Sequence, residues 1–210
     1  MSIEEEKYGK KVIKHIQTIE VNNLDFVLDK RVILKNFSYK FRRGNIYGIT
    51  GENGAGKSTL MNIITGMYWI PEAPIFINGV PIVKCDLGKM RRTSYGILEQ
   101  EPILLEESIK DNMFLGGEDK SGSQKFIDIT KLLGLDVFLK KLPNGLETII
   151  NENAMNLSGG EKQKLSLLRI LLKDSEVLIL DEPASALDTD SREQLYNYCL
   201  LYTSDAADEL

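Results

Sequence analysis

The chain has 210 residues, with 26 Lys and Arg against 31 Asp and Glu for a net charge of −5. Hydrophobic residues make up 42% and charged residues 27%, an ordinary globular balance in a chain long enough to bury a sizeable core; this excludes a collagen, a disordered tail and a small disulfide scaffold. A mildly acidic chain without a basic block argues against nucleic acid as a partner, the two cysteines (Cys85 and Cys199) match no metal-ligand spacing, and the single His15 excludes most zinc sites and any triad needing a distant His.

No apolar run approaches the roughly 20 residues of a membrane helix. The first residues, MSIEEEKYGKK, lack the apolar core of a signal peptide. The expectation is a soluble, cytoplasmic chain unless it docks on a membrane partner. In chain order, residues 1–16 are charge-rich without periodicity and read as a linker or leader. Residues 17–27 and 32–41 alternate apolar and polar side chains with β-branched and aromatic content, which predicts strands. Residues 43–45 make a turn and 46–50 a short apolar strand. A Gly-rich loop follows, then a helical run over 57–65 that stops at Gly66.

Residues 75–83, IFINGVPIV, read as a hairpin turning at Asn78-Gly79, and 95–99 as another strand. From 109 to 142 the pattern is helical and locally charged, an inserted helical subdomain. Helix signals return over 159–172 and start again over 191–198. Between them 177–180, VLIL, is wholly apolar, as in a sheet covered on both faces. No internal repeats occur. These elements predict an α/β fold: a P-loop core sheet with flanking helices, an N-terminal antiparallel β layer and a helical subdomain.

The chemistry concentrates in three places. Residues 51–58, GENGAGKS, fit G-x-x-x-x-G-K-[ST]. In that pattern Gly51, Glu52, Asn53, Gly54, Ala55 and Gly56 turn their N–H groups onto phosphate oxygens, Lys57 reaches the β- and γ-phosphates, and the Ser58 hydroxyl ligates Mg2+. Thr59 continues into a helix whose positive end faces the anion. A chance glycine turn would not need the strand before it and the helix after it.

Second, Asp181 and Glu182 follow the apolar strand, where ligands bind in a parallel sheet. They are either exposed polar groups ending a strand, or a Mg2+ ligand (Asp181) and the group that polarises the water attacking the γ-phosphate (Glu182). Third, Ser158-Gly159-Gly160 precedes an amphipathic helix. It is either an N-cap with permissive glycines, or a second anion site that a face-to-face dimer would lend to its partner's nucleotide.

Together these stretches resemble the ATP-binding domain of ABC transporters, in order and spacing, over roughly residues 17–198. GENGAGKST is similar to the family's Walker A motif, LILDEP to Walker B, LSGGEKQ to the signature, and residues 185–188, ending at Asp188, to the D-loop. Gln100 matches the Q-loop glutamine, which in the family senses Mg2+ and couples to the membrane domain. The stretch after Gln100 and the approach to the signature resemble the exporters, with Glu152 at the position of the X-loop glutamate, or else a solvated surface charge. The resemblance implies ATP and Mg2+ as ligands, with Lys57, Gln100 and Glu182 as catalytic residues. It also implies a second ABC ATP-binding domain and the transmembrane domain of an exporter as partners, at the cytoplasmic face of the plasma membrane. Residues 1–16 would then be the linker from that membrane domain.

The sequence departs from the family in two places. Leu28 stands where an aromatic residue usually stacks on adenine; Phe26, on the same strand face, either substitutes or is core. No histidine follows Walker B, where the family's switch histidine lies. Residues 199–209 back-translate onto a transposase adapter used in short-read library preparation, so 199–210 are expected to be read-through and native sequence to stop near Tyr198. An ABC ATPase outside transport usually carries tandem domains or coiled coils, and this chain shows neither. An inactive fragment that binds but barely hydrolyses ATP is the other alternative. A GTPase would need an N-K-x-D motif, which is absent.

Overall fold

The computed structural model describes residues 9–205 apart from 102, 116, 152, 153, 155 and 184–186, with side chains as far as residue 200. The chain folds as two compact units, one built on the residues up to Tyr95 and the other on Gly96–Cys199.

The first unit is organised by a long hairpin. Strand β1 (Thr18–Leu28) pairs antiparallel with β2 (Arg31–Arg42). Asp29 and Lys30, at φ +49° and +66°, form the two-residue turn whose left-handed backbone suits the twist of the strands. Near the sheet's centre the alternation is strict: Ile19 and Val21 are buried while their neighbours are less so. Further out the register slips between Val21 and Leu24, where Asn23 adopts positive φ, and again between Leu24 and Phe26, opposite Asn36, which also adopts positive φ. The Asn23 amide donates to Asn36 Oδ1 at 2.6 Å and ties the two irregularities together. Strands β3 (Ile75–Ile77) and β4 (Val80–Pro81) extend the sheet in the order β2-β1-β3-β4. Helices α1 (Lys57–Ile64) and α2 (Leu87–Thr93) complete the unit, α2 capped by Asp86 accepting from Lys89 N at 2.9 Å.

The expected hairpin over 75–83 forms, with Asn78 at φ +50° and Gly79 at φ +73°. Asn78 also does what the pattern did not announce. Its Oδ1 accepts from Gln17 N (2.7 Å) and Thr18 N (2.9 Å), and its Nδ2 donates to His15 O (2.7 Å). It thereby fastens the residues read as a linker or leader. Residues 9–16 lie along the chain beyond β4: Gly9 N donates to Val83 O, Lys11 N to Lys84 O, and Asp86 N to Lys11 O. Ile13 and Ile16 are buried.

Residues 46–50 differ from expectation. They make no ladder among the described residues, and Ile46 and Ile49 are exposed. Strand propensity without a hydrogen-bonded neighbour does not make a strand. The segment is anchored instead through Tyr47, whose hydroxyl accepts from Arg42 N at 2.9 Å and whose ring packs edge-on against Tyr39 and Phe41.

The second unit contains β5 (Tyr95–Leu98), α3 (Ile109–Phe114), α4 (Gln124–Leu132), α5 (Asp136–Lys141), α6 (Gly159–Leu172), β6 (Val177–Leu180) and α7 (Thr189–Asp205). The helical subdomain expected over 109–142 is α3 to α5, with Ser108 and Ser123 as side-chain N-caps. One apolar cluster holds the unit, from Leu98 and Ile109 through Ile129 and Leu133 to Leu165, Leu168 and Leu195. Tyr198 and Cys199 pack against it. Beside it, β5 and β6 form a two-stranded sheet. A Cβ on Gly96 would lie 2.7 Å from Leu178 Cδ2 and 2.9 Å from Ile170 Cγ2, so a larger residue there would have to displace these side chains. Strand β6, expected to be buried on both faces, is half-buried along its whole length because β5 is its one described neighbour.

Asn78→Ala removes three side-chain hydrogen bonds and a residue suited to left-handed backbone, and should cost about 1–3 kcal/mol in urea unfolding. Trypsin should then cut at Lys10, Lys11 and Lys14 before the rest of the chain. Unchanged stability and proteolysis would contradict the clamp.

Candidate functional site

The Gly-rich loop has a geometry its residues enforce. Gly54 and Gly56 lie at φ +79° and +92°, where side chains are disfavoured. At Gly56 a second constraint acts: a Cβ there would stand 2.9 Å from Ile33 Cγ2 and 3.1 Å from the Ile33 carbonyl oxygen. Gly56 is buried against β2, while residues 51–55 are exposed. Gly56 is the N-cap of α1 and makes no side-chain cap, so the first N–H groups of the helix face the loop's mouth. Lys57 folds back across the loop, and its Nζ donates to Gly51 O (2.8 Å) and Glu52 O (3.0 Å). An ammonium, a helix N-terminus and exposed loop amides converge here, an arrangement suited to a polyanion. Ser58 and Thr59 follow Lys57 in the first turn of the helix, Ser58 exposed.

Phe26 is half-buried on β1, and its ring stacks on Tyr68 with centroids 5.6 Å apart and planes at 29°. Tyr68 carried no signal in the sequence beyond being aromatic. Leu28 is partly exposed at the end of β1.

In the second unit, Gln100 lies two residues beyond β5 and is exposed. The Arg169 guanidinium holds the loop after it by donating to Ile103 O at 2.9 Å. Burial pushes the Arg169 pKa down from its ordinary value. Asp181 follows β6, and its N–H donates to Leu98 O at 3.0 Å, which carries the β5 pairing one residue further. Glu182 is exposed and left-handed, at φ +49°, and its carbonyl accepts from Gln163 Nε2 at 3.1 Å. Asp181 and Glu182 are thus held by β5 and α6 together. Neither Gln163 nor Arg169 was singled out by sequence, since a bond from mid-helix to a distant backbone leaves no local pattern.

Ser158 caps α6 in a full capping box: its hydroxyl accepts from Glu161 N, and the Glu161 carboxylate accepts from Ser158 N at 2.7 Å. The capping reading therefore holds within the chain. Gly159 is exposed with open space where a Cβ would be, so the helix N-terminus also presents an open face. Asp188 is exposed and caps the start of α7, with Oδ1 accepting from Ser191 N at 2.8 Å. Glu152 and residues 185 and 186 of the D-loop stretch lie outside the described residues.

For a divalent ion the sequence offers the Ser58 hydroxyl, the Asp181 carboxylate and the Gln100 side-chain carbonyl. These are hard oxygen donors of the kind Mg2+ takes alongside phosphate oxygens. Among the described residues no cluster of three or more His, Cys, Asp or Glu side chains forms.

The backbone and side-chain hydrogen bonds from Ser191 hold the Asp188 carboxyl below the usual carboxylate range. A depressed folded pKa means that the cap stabilises fully above the unfolded value of about 3.9 and loses its effect as pH falls through the folded value. Asp188→Ala should therefore lower the urea midpoint at pH 7, and the gap to the parent chain should close as pH falls towards 3. A gap of constant size would contradict this.

A model of the ABC transporter family matches residues 34–185. An ATP-dependent lipid A-core flippase of Mannheimia succiniciproducens is 37% identical over 162 residues, covering 77% of this chain and 28% of the flippase. ABC transporter B family member 21 of Arabidopsis thaliana is 36% identical over 176 residues, covering 82% of this chain and 13% of that protein. The solved structure of a bacterial Atm1-family ABC exporter with ATP bound superposes with a TM-score of 0.78 at 29% identity, covering 94% of this chain and 34% of that one. The chain thus spans about a third or less of the length of the proteins it matches. The family model covers most of the chain and the structural match extends over nearly all of it: the chain belongs to the ABC transporter family and has the ABC ATPase fold.

Proposed function

We propose that this chain is the ATP-binding domain of an ABC exporter and hydrolyses ATP to drive export. The observation that carries the reading is the phosphate loop, in which Gly56 packed on β2 fixes the start of α1 and Lys57 lies across the loop, bonded to two of its carbonyls. Residues 51–56 would bind the α- and β-phosphates through backbone N–H groups. Lys57 would give up its bonds to Gly51 and Glu52 for the β- and γ-phosphates. Ser58, Asp181 and Gln100 would hold Mg2+, which supplies charge neutralisation of the phosphates when bound. Glu182 would orient and polarise the attacking water, and Phe26, paired with Tyr68, would offer the adenine a ring. Positioned charge, rather than covalent chemistry, would carry the rate.

Two copies, or this domain and a related one, would close on two nucleotides, each lending Ser158, Gly159, Gly160 and Asp188 to the other's γ-phosphate. The exposed helix N-terminus at Ser158 supports this: a capping box pairs the Ser158 and Glu161 N–H groups within the chain, and open space lies where a Gly159 side chain would be. The transmembrane domain of an exporter would be the other partner, placing the chain at the cytoplasmic face of a membrane. No helix among the described residues is long and apolar enough to cross one.

Calorimetric titration with ATP and Mg2+ tests the reading. Lys57→Ala should reduce affinity by at least about tenfold without unfolding, the worth of one charge-assisted contact. Ser158→Arg should leave monomer binding intact and abolish the ATP-dependent dimer in sedimentation. Lys57→Ala binding as tightly as the parent would overturn the phosphate-loop assignment, and loss of monomer binding in Ser158→Arg would overturn action in trans.

A further inference from the structure

Glu182 stands in a backbone conformation that its own sequence resists. Its φ of +49° is in the left-handed region that residues other than glycine seldom occupy. It also precedes Pro183, and the residue before a proline is driven towards extended backbone. Backbone of this kind persists only where its surroundings over-determine it.

Two contacts among the described residues contribute. On one side Asp181 N donates to Leu98 O at 3.0 Å, so the residue before Glu182 is fixed to β5. On the other, Gln163 Nε2 donates to the Glu182 carbonyl oxygen at 3.1 Å. Gln163 sits in the second turn of α6, and α6 is itself immobilised. The Ser158–Glu161 box secures its N-terminus, and Leu165, Leu167 and Leu168 are buried without remainder. The donor therefore comes from a rigid element.

We infer that Gln163 is a positioning residue for Glu182: its amide holds the left-handed backbone and thereby aims the Glu182 side chain. The bond is made to the carbonyl, so it sets the direction of the Cα–Cβ bond without drawing on the carboxylate. The inference rests on the role given to Glu182 above. It adds a mechanical consequence. Ser158, at the N-cap of the same helix, and Glu182 are joined through a single rigid element, so a group docking on Ser158-Gly159-Gly160 bears directly on the backbone at Glu182.

The test uses the full chain and three variants. Gln163→Leu keeps the volume and loses the donor, Gln163→Lys keeps an N–H donor on a stem of similar length, and Glu182→Gln removes the carboxylate. Hydrogen exchange of the segment 178–183 reads the clamp without requiring turnover. Gln163→Leu should speed exchange there about tenfold while the rest of α6 exchanges as in the parent, the scale of one lost hydrogen bond. Its ATP turnover should fall about tenfold in kcat with KM within twofold, and Gln163→Lys should recover most of both.

Parent-like exchange and kcat in Gln163→Leu would overturn the inference. Exchange raised equally along all of α6 would overturn it too, since that is general loosening. Full turnover in Glu182→Gln would instead remove the role of Glu182, and the exchange comparison would still decide whether Gln163 holds the backbone.

Discussion

Gly56 has no room for a side chain. Its backbone is left-handed, and the position a Cβ would take is within 3.1 Å of three atoms of Ile33 and Leu34. That contact pins the end of the Gly-rich loop to β2, and α1 starts there. Everything the phosphate loop offers follows from it. The helix N-terminus points at the loop because its N-cap is fixed. Lys57, the first helical residue, is thereby placed where its ammonium can lie over the loop's own carbonyls. An anion that takes those amides finds donors already oriented, so little ordering remains to oppose binding.

In the second unit α6 has the corresponding place. Its buried face, from Leu165 to Leu171, fixes the helix in the core. Its exposed and half-buried side chains then serve three separate stretches of backbone. Ser158 caps its own N-terminus, Gln163 holds Glu182, and Arg169 holds the loop after Gln100. In this unit the residues proposed to hold metal or water, Gln100, Asp181 and Glu182, follow strands β5 and β6 on loops. Their precision comes from this helix and from β5.

Features carried by local chemistry were legible in the sequence. The glycine spacing of the phosphate loop, the Asn78-Gly79 turn, the Gly66 stop after α1 and the Ser158 cap each depend on residues a few positions apart. Features that depend on a distant partner were not. Residues 46–50 have strand composition, yet no described ladder includes them, and β6 is apolar yet half-buried. Nothing in residues 9–16 announces that Asn78 and residues 83–86 hold them. Gln163 and Arg169 look like any polar residues of an amphipathic helix until the backbone they reach is known. The family resemblance rested on the first kind of feature, which is why it held.

The central claim is that this chain recognises a nucleotide by its phosphates. Competitive titration of the full chain with ATP, ADP, AMP and inorganic triphosphate, each with Mg2+, tests it most directly. The account predicts that affinity falls steeply from ATP to AMP and that inorganic triphosphate competes with ATP. AMP binding as tightly as ATP, with inorganic triphosphate failing to compete, would contradict it.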